Sequence, residues 1–428
     1  MNGIQSTINI IYNYVSNAAI FHHTITSFKR RTMSQTLPII ICGAGISGLV
    51  LGQGLLKADI PFKIFERDPA LNVRSQGYRV RINNAGISAL KETLPDELFR
   101  QLRACSAIPA STVDEPYHQI DALTGEKVKP HPATLDPEPL NADRTVLRRV
   151  LIKGLKKFVS YGKEFSRYES DSGDEVKVYF SDGSEILGSL LVGADGTKSR
   201  IRKQLLPNNR FIDTEGRWFY GKTELTTEVE QNFNKHADFY SIIQDPSKGR
   251  VLTCLLEPVR FKENEFRKEL PADYIYWVLG GCKDIFDMDD EKLLKLSPEE
   301  AAAETLRMTK HWDPSFHILF SAQTTSQSSI LALESSKPDI EVWETKKFVT
   351  LLGDSIHAMS PTAGVGSVTA VRSAAALSKA IAEGGVNVET LKKYEDEMRG
   401  FASEAIKKSF SGGNLIFGLR TFEELEEK

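Results

Sequence analysis

Two glycine-rich segments, each directly after a short apolar run, constrain this 428-residue chain more than any other feature. The first, GAGISG at residues 43–48, follows Ile39 to Cys42, and the second begins at Gly353 and Asp354 after another apolar run. A strand that ends in glycines lets the backbone approach a pyrophosphate, and the helix that begins there directs its free N–H groups at the anion. The first segment therefore predicts a dinucleotide site.

An acidic residue at the end of the next apolar run narrows the choice of cofactor. Phe62 to Glu66 is predicted to be a strand, and Glu66 follows Gly48 by 18 residues. This is close to the spacing at which a carboxylate meets ribose hydroxyls. A carboxylate there favours an unphosphorylated ribose, so we expect FAD or NAD.

A third segment decides between these cofactors. It contains Asp195, Ser199 and Arg202 in a DGxxSxxR pattern. Together with GAGISG and the Gly353–Asp354 pair, it resembles the three-motif set of the single-component flavoprotein monooxygenases, the FAD-dependent aromatic-ring hydroxylases similar to p-hydroxybenzoate and salicylate hydroxylases. The resemblance covers about residues 37–409 and is closest to the fungal biosynthetic members. It implies that the bound cofactor is FAD.

The resemblance implies an oxidoreductase of secondary metabolism. NADPH or NADH would reduce the flavin as a transient co-substrate, and O2 would form a flavin C4a-hydroperoxide that hydroxylates or epoxidises an aromatic or polyketide-type small molecule. No second GxGxxG follows, so NAD(P)H is expected in a surface cleft. Two alternatives remain: an FAD-dependent reductase or dehydrogenase on the same fold, and a non-catalytic flavin-binding protein.

The expected fold is α/β, with a Rossmann-like FAD-binding domain, an inserted and mainly antiparallel β-sheet substrate domain, and C-terminal helices. The FAD-binding domain is expected to comprise residues 34–110, 143–208 and 345–385. The substrate domain would comprise residues 111–142 and 209–344, and a C-terminal helix and tail would follow at 386–428. Residues 130–139 are proline-rich and predict a loop.

Several elements outside the glycine motifs are predicted from periodicity. Asp143 can cap a helix that runs to about Phe158. Val176 to Phe180 and Glu185 to Val192 alternate as two strands around a turn. Further helices are expected at about residues 291–310, 365–383 and 389–408.

The resemblance also assigns residues to the cofactor. The first glycines would hold the pyrophosphate and Glu66 the adenosine ribose. Arg144 matches an arginine that reaches the cofactor from a helix start, with a surface arginine as the alternative. Asp354 matches the aspartate that binds the ribityl chain. The expected cofactor-binding residues are Gly43, Gly45, Ile46, Ser47, Gly48, Glu66, Arg67, Arg79, Val80, Arg144, Asp195, Asp354, Gly366 and Ser367.

Some of these assignments have a structural alternative. On a short strand, alternation would place Arg79 and Arg81 on one face and Val80 on the other. The two arginines would then line the mouth of the cofactor or substrate site. Alternatively, they would be salt-bridged surface residues. Asp195 would touch FAD and the NAD(P)H site, or it would be a helix N-cap. Ser367 stands where many relatives have Asn, and since Ser can cap a helix, FAD binding is expected to survive.

Candidate catalytic groups lie at the loop after Asp354 and in an aromatic-rich sheet. Pro361 and Gly364 would leave room for oxygen beside the flavin, while amides of this loop would stabilise the anionic reduced flavin. His357 is either a proton relay or a packed loop residue. Tyr220 and Tyr240 would orient or deprotonate a phenol, or simply pack in the core. An aromatic-lined pocket suits a planar phenol, polyketide or indole.

Composition sets outer limits on function. A net charge of −3 gives no reason to expect nucleic acid or an anionic membrane as a partner. The four cysteines lack CxxC spacing, so neither a metal site nor a disulfide framework is expected. A cytoplasmic monomer or homodimer fits this composition. Residues 1–33 contain no acidic residue and end in a basic cluster, so they are either a transit-like leader or an extension ahead of a start at Met33.

Overall fold

The computed structural model describes residues 37–71, 73, 78–110, 118–130, 139–170, 175–233, 240–247 and 249–425, so the predicted leader and most of the predicted 130–139 loop lie outside the described residues. In chain order the β-strands are β1 (Ile39–Cys42), β2 (Phe62–Glu66), β3 (Arg79–Ile82), β4 (His118–Asp121), β5 (Lys127–Pro130), β6 (Leu140–Asp143), β7 (Val159–Tyr161), β8 (Phe165–Glu169), β9 (Val176–Phe180), β10 (Glu185–Gly188), β11 (Leu190–Gly193), β12 (Ile212–Glu224), β13 (Ser241–Asp245), β14 (Leu252–Val259), β15 (Tyr274–Cys282), β16 (Ser329–Ser335) and β17 (Val349–Leu351).

The α-helices lie mainly between these strands and at the end of the chain. In chain order they are α1 (Ile46–Lys57), α2 (Asn84–Thr93), α3 (Asp96–Ala104), α4 (Arg144–Leu151), α5 (Arg200–Leu205), α6 (Thr227–Asn232), α7 (Asp290–Leu293), α8 (Pro298–Met308), α9 (His317–Ser321), α10 (Asp354–His357), α11 (Gly366–Gly384) and α12 (Val388–Phe417). Among the described residues, no helix has both the length and the apolar character needed to cross a membrane.

A five-stranded parallel sheet brings the three sequence motifs together. Its strand order is β17-β11-β1-β2-β7, and the motifs follow β1, β11 and β17, which are neighbours. All residues of these three strands are buried, as expected for parallel strands covered on both faces. The carboxyl ends of parallel strands share one edge of a sheet, which is where α/β folds bind ligands.

Close backbone contacts at this edge require glycine at Gly43 and Gly48. Gly43 has φ +118, and a Cβ there would lie 2.1 Å from the carbonyl oxygen of Ala194, at the end of the neighbouring strand. A Cβ on Gly48 would lie 2.0 Å from the carbonyl oxygen of Gly43. These two glycines therefore let α1 and β11 pack against the end of β1.

A seven-stranded sheet forms the second large layer, in the order β16-β12-β15-β14-β13-β4-β5, and its pairs are antiparallel except β13 with β4. Side-chain alternation divides its two faces. Tyr220 and Tyr276 belong to the core shared with the five-stranded sheet, whereas Phe219 and Trp277 belong to a second core that includes Phe316. The sheet therefore presents aromatic side chains toward the motif-bearing half of the protein.

Two predicted elements end earlier than expected. Asp143 caps α4 as predicted, accepting hydrogen bonds from the backbone N–H groups of Thr145 and Val146. The helix nevertheless ends at Leu151 rather than near Phe158, and Gly154 adopts a left-handed φ of +79 in the turn that follows. The predicted strand Glu185 to Val192 is two strands, because β10 pairs with β9 whereas β11 joins the five-stranded sheet.

The C-terminal helices also differ from prediction. The charged segment at 291–310 forms α7 and α8, which are separate because Ser297 and Pro298 begin a new helix with a capping box. The last helix, α12, continues to Phe417 instead of ending near residue 408. Its extra turns bring its carboxyl end to the seven-stranded sheet, where the carbonyl oxygen of Ile416 accepts a hydrogen bond of 2.8 Å from Thr253 Oγ1.

Candidate functional site

The GAGISG segment forms an uncapped helix N-terminus at the edge of the parallel sheet. Gly45 is the N-cap of α1 without a side-chain hydrogen bond, and the first turn, which contains Ile46 and Ser47, carries no acidic residue. The free N–H groups of this turn suit an anion. Within the part of the chain that the structure describes, no atom outside its chain neighbours lies within 4 Å of the position that a Cβ on Gly45 would take. Packing within the protein therefore does not require this glycine, whereas close approach of a phosphate would.

Glu66 and Arg148 hold the loop that contains these glycines. Glu66 is buried, and its Oε2 accepts a hydrogen bond of 2.7 Å from the backbone N–H of Ala44. The carbonyl oxygen of Ala44 accepts one of 3.1 Å from Arg148 Nη2. Burial and the charge of Arg144 lower the pKa of the Arg148 guanidinium. Arg67, the next residue after Glu66, is exposed. Sequence reasoning did not single out Arg148, which has no motif of its own.

The second motif supplies a buried carboxylate with an unused acceptor. Asp195 Oδ2 accepts a hydrogen bond of 2.9 Å from the backbone N–H of Arg200, while Asp195 Oδ1 is buried and has no hydrogen-bond partner among the described residues. Burial raises the pKa of this carboxyl. The N-cap of α5 is Ser199, whose Oγ accepts from the backbone N–H of Arg202. Ser199 rather than Asp195 is therefore the N-cap residue, although Asp195 Oδ2 also accepts from the first backbone N–H of α5, and the predicted contacts of Asp195 with FAD and NAD(P)H stay predictions.

The third motif places Asp354 beside the first. Gly353 has φ +65, and a Cβ there would lie 2.5 Å from Ser47 Oγ, so the Gly353 turn packs directly on α1. The Asp354 side chain is exposed, yet the surrounding protein desolvates it enough to raise the pKa of its carboxyl, and Arg144 opposes that rise. This combination of exposure and crowding is expected for a carboxylate that lines an open cleft. Arg144 thus contributes to the electrostatic field at Asp354, whereas its contact with the cofactor stays a prediction.

The loop from Pro361 to Ser367 provides a second uncapped helix N-terminus. Pro361 begins a turn of 3-10 helix, Gly364 follows in a left-handed conformation with φ +64, and α11 begins at Gly366 without a side-chain cap. The sequence suggested that Ser367 could cap this helix. It does not, and its Oγ instead donates a hydrogen bond of 3.4 Å to the carbonyl oxygen of Arg81. The α11 amides therefore remain available without Ser367 as a cap.

These features fit FAD. Two uncapped helices of 12 and 19 residues begin at the sheet edge where the motifs meet. Among the described residues, nothing requires a missing side chain at Gly45, and Asp195 retains an unused buried acceptor. A dinucleotide offers phosphates for the first helix, hydroxyls for the carboxylates and a ring system for the second helix.

His357 is enclosed by protein. It is fully buried in α10, its Nε2 lies 3.0 Å from Ser373 Oγ, and burial lowers the pKa of its imidazole to about 4. An imidazole that stays neutral throughout the physiological range cannot exchange a proton efficiently there. The geometry therefore favours packing over the proton relay proposed from sequence.

The two β3 arginines point to one face, as alternation predicted. Val80 is buried on the opposite face. Arg79 forms an ion pair with Glu257 of β14 and lies over the rings of Tyr240 and Tyr276, with 6.0 and 5.7 Å from its Cζ to the ring centroids. The ion-paired alternative is correct for Arg79, but the pair is buried rather than on the surface.

Three tyrosines form an aromatic cluster between β3 and the seven-stranded sheet. We call Tyr78, Tyr220 and Tyr276 the tyrosine cluster; the ring centroid of Tyr220 lies 5.2 Å from that of Tyr78 and 6.5 Å from that of Tyr276. Burial raises the pKa of Tyr220 and of Tyr276 well above the usual value for a phenol. Tyr220 therefore stays protonated and cannot deprotonate a phenol at neutral pH, although it can hold one by hydrogen bonding. Tyr240 is buried beneath Arg79.

Two further contacts were not predicted. Asp143 Oδ2 accepts hydrogen bonds of 2.7 Å from Lys222 Nζ and 2.9 Å from the Tyr274 hydroxyl, which joins the start of α4 to the seven-stranded sheet. Trp218 stacks on Phe417 with ring centroids 4.1 Å apart. Both contacts join residues distant in sequence, and only the capping role of Asp143 left a local signal.

Comparisons with known proteins agree with this site. A family model for an FAD binding domain matches residues 301–409. The dual O-methyltransferase/FAD-dependent monooxygenase elcB of Phaeosphaeria nodorum is 37% identical, over 100% of this chain and 52% of that protein. The dual O-methyltransferase/FAD-dependent monooxygenase CTB3 of Cercospora beticola is 36% identical, over 91% of this chain and 47% of that protein. The chain spans about half the length of these two curated relatives.

A solved structure extends the agreement to the fold. The chain shares 29% identity and a TM-score of 0.73 with a protein of Photorhabdus luminescens described as an FAD-containing monooxygenase, over 90% of this chain and 99% of that one. The expected α/β fold and the resemblance inferred from the three motifs are therefore confirmed.

Proposed function

We propose that this chain is an FAD-dependent monooxygenase that uses NADPH or NADH and O2 to insert one oxygen atom into an aromatic or polyketide-type small molecule. One observation carries the proposal. Three strand-end motifs and two uncapped helix N-termini meet at one sheet edge, and an aromatic cluster lies beside them on a second sheet. When bound, FAD supplies the hydride acceptor and the oxygen-activating ring.

We assign the parallel half to the cofactor and the seven-stranded sheet to the substrate. The N–H groups at the start of α1 would bind the pyrophosphate, and Glu66 and Asp195 would meet ribose and neighbouring hydroxyls. Asp354 would accept from the ribityl hydroxyls, with Arg144 beside it. The N–H groups at the start of α11 would face the pyrimidine end of the ring, where negative charge develops on reduction.

The protein must also keep water from the reacting atoms. Helix α12 serves this purpose because it touches both halves of the site. Its Ser409 carbonyl oxygen accepts a hydrogen bond from Thr362 Oγ1 in the loop that would face the flavin. Its last residue, Phe417, stacks on Trp218 of the seven-stranded sheet. Helix α12 would therefore close the space between cofactor and substrate, which keeps water from the reacting atoms and limits side reactions.

A coupled oxidation assay tests the proposal. Protein purified with FAD would be mixed with NADPH and then NADH, with and without a panel of phenols and polycyclic aromatic compounds. We expect an accepted compound to accelerate NAD(P)H oxidation and to return as an oxygenated product. Oxidation of NAD(P)H without any oxygenated product would favour a reductase, and bound FAD without NAD(P)H oxidation would favour a flavin-binding protein.

A further inference from the structure

Two positive charges lie over rings of the tyrosine cluster, and each faces an acidic residue. Arg79 lies over Tyr276 and is paired with Glu257. Arg144 lies over Tyr78, 5.8 Å from the ring centroid, and attracts Asp354. Where these two cations lie over the rings, a carboxylate therefore offsets each charge.

A third cation on the same face of the sheet is neutralised as well. Lys222 follows Tyr220 by two residues on β12, so alternation places both side chains on one face. Its Nζ lies 4.0 Å from the ring centroid of Tyr274 and 2.7 Å from Asp143 Oδ2. Asp143 is fixed in turn, because its Oδ1 caps α4. Lys222 is therefore committed to a rigid carboxylate.

The pair of Arg79 and Glu257 is the most deeply enclosed of the three. The side chains are 9% and 1% exposed, respectively. Asn141 Nδ2 donates a hydrogen bond of 3.1 Å to Glu257 Oε1, which holds the carboxylate in place. A buried charge that loses its partner is strongly destabilised, so the pair does not separate readily. A second anion that approached Arg79 would also meet the negative charge of Glu257.

We propose that this site accepts uncharged phenolic aromatic compounds and discriminates against aromatic carboxylates, and that Glu257 determines this specificity by neutralising Arg79. This inference rests on the proposed function, because it concerns the substrate of the same site. Tyrosine rings offer a stacking surface and their protonated hydroxyls offer hydrogen bonds to ligand hydroxyls. A ligand carboxylate would lose its hydration without gaining a cation of its own.

A matched pair of ligands tests the proposal directly. A hydroxynaphthoate and its amide have the same ring system and nearly the same shape, but only the first is charged. Each would be titrated calorimetrically into FAD-loaded protein at neutral pH. We expect wild-type protein to bind the amide about tenfold or more tightly than the carboxylate, since the carboxylate must give up charge-assisted hydrogen bonds to water. Equal or tighter binding of the carboxylate, or binding of neither ligand, would overturn the proposal.

The variant Glu257→Gln tests the assigned residue. It keeps the shape of the side chain but leaves the Arg79 charge uncompensated, so we expect carboxylate affinity to rise by about tenfold to a hundredfold and amide affinity to change little. Asp213→Asn is the matched control, because Asp213 is paired with the buried Arg217 at the start of β12. It should leave both affinities unchanged.

Two readouts keep the outcomes distinct. Thermal unfolding of each variant establishes that it is folded, and if Glu257→Gln does not fold, the ligand preference of the wild-type protein decides alone. A folded Glu257→Gln variant with unchanged carboxylate affinity would overturn the role of Glu257. Because binding is measured without turnover, failure to oxygenate any compound would count against the proposed function and leave the charge preference supported.

Discussion

Arg202 joins the second and third motifs through a hydrogen bond to Ser355, 153 residues further along the chain. Its Nη1 donates to the Ser355 carbonyl oxygen at 2.8 Å, and its Nη2 donates to the carbonyl oxygen of Thr197 at 3.0 Å. Ser355 Oγ donates in turn to the carbonyl oxygen of Gly193 at 2.6 Å. One guanidinium therefore fixes the relative position of two strand ends that we assign to FAD.

The variant Arg202→Lys should weaken both folding and cofactor retention. Lysine lacks the planar set of donors and cannot stack on Phe211, whose ring centroid lies 3.6 Å from Arg202 Cζ. We expect the free energy of unfolding to fall by about 2 kcal/mol. Denaturant titration and flavin absorbance measure the two effects. Arg200→Lys, on the exposed side of the same helix, is the control, and equal behaviour of the two variants would contradict the role given to Arg202.

Two glycines of the first motif should respond differently to substitution. Gly45→Val introduces a side chain where no described residue beyond its chain neighbours lies within 4 Å, so the fold should survive. The flavin dissociation constant should rise by about tenfold or more, equivalent to about 1.4 kcal/mol. Gly43→Ala should also lower the melting temperature, because its Cβ would lie 2.1 Å from the Ala194 carbonyl oxygen. Full flavin occupancy in folded Gly45→Val would refute the phosphate cradle.

The variant Asp354→Asn should lower flavin affinity while changing the pH dependence of the apoprotein. Loss of a charge-assisted hydrogen bond to the cofactor costs about 1.5–3 kcal/mol, or roughly tenfold to a hundredfold in affinity. The raised pKa of Asp354 means that the folded apoprotein favours the protonated carboxyl. The protonated Asp354 carboxyl therefore contributes to the free energy of unfolding of the apoprotein at low pH, and this contribution is lost as pH rises through the raised pKa.

Apoprotein unfolding followed across acidic to neutral pH measures this second effect. Asp354→Asn should remove the loss of stability in that range, whereas Asp339→Asn, at a carboxylate that is 89% exposed, should retain it. If both variants keep the wild-type profile and flavin affinity, Asp354 only shapes the loop.

The sequence predicted the elements whose signals are local. The bounds of β2 and β9 agree with prediction, because each is a short alternating or apolar run bounded by turn residues. The break within Glu185 to Val192 was missed because no local signal marks it. Gly188 is needed there by a tertiary contact, since a Cβ would lie 2.5 Å from Ile40 Cδ1. The end of α4 was missed because Gly154 was not recognised as a stop.

For the site, too, the sequence predicted the residues with local signals and missed those that depend on tertiary contacts. Motif spacing identified Gly43, Asp195 and Asp354, which lie at the ends of neighbouring strands. The ion pair of Arg79 and Glu257 depends on how two sheets face each other. The sequence around either residue gives no indication of this pairing. The assignments of FAD contacts to individual residues and the proposed domain limits remain predictions.

His357 should act as a source of acid sensitivity in folding rather than as a catalytic proton carrier. Its pKa falls from 6.5 to about 4 on burial, so its contribution to stability is present above pH 6.5 and is lost as pH falls toward 4. The full loss is about 3 kcal/mol. His357→Asn should flatten this part of the stability profile without adding or removing a limb in the pH dependence of turnover. His317→Asn, at an exposed histidine, is the control, and loss of one arm of the pH–rate profile in His357→Asn alone would restore the proton-relay role.

The source of the oxygen atom in the product tests the central claim most directly. FAD-loaded protein, NAD(P)H and an accepted aromatic compound would be incubated under isotopically labelled O2 in ordinary water, and in parallel under ordinary O2 in labelled water, with product masses determined for both. An FAD-dependent monooxygenase should place one labelled atom in the product in the first incubation and none in the second. A product labelled from water alone, or turnover with no oxygen gained, would contradict monooxygenation and favour a dehydrogenase on the same fold.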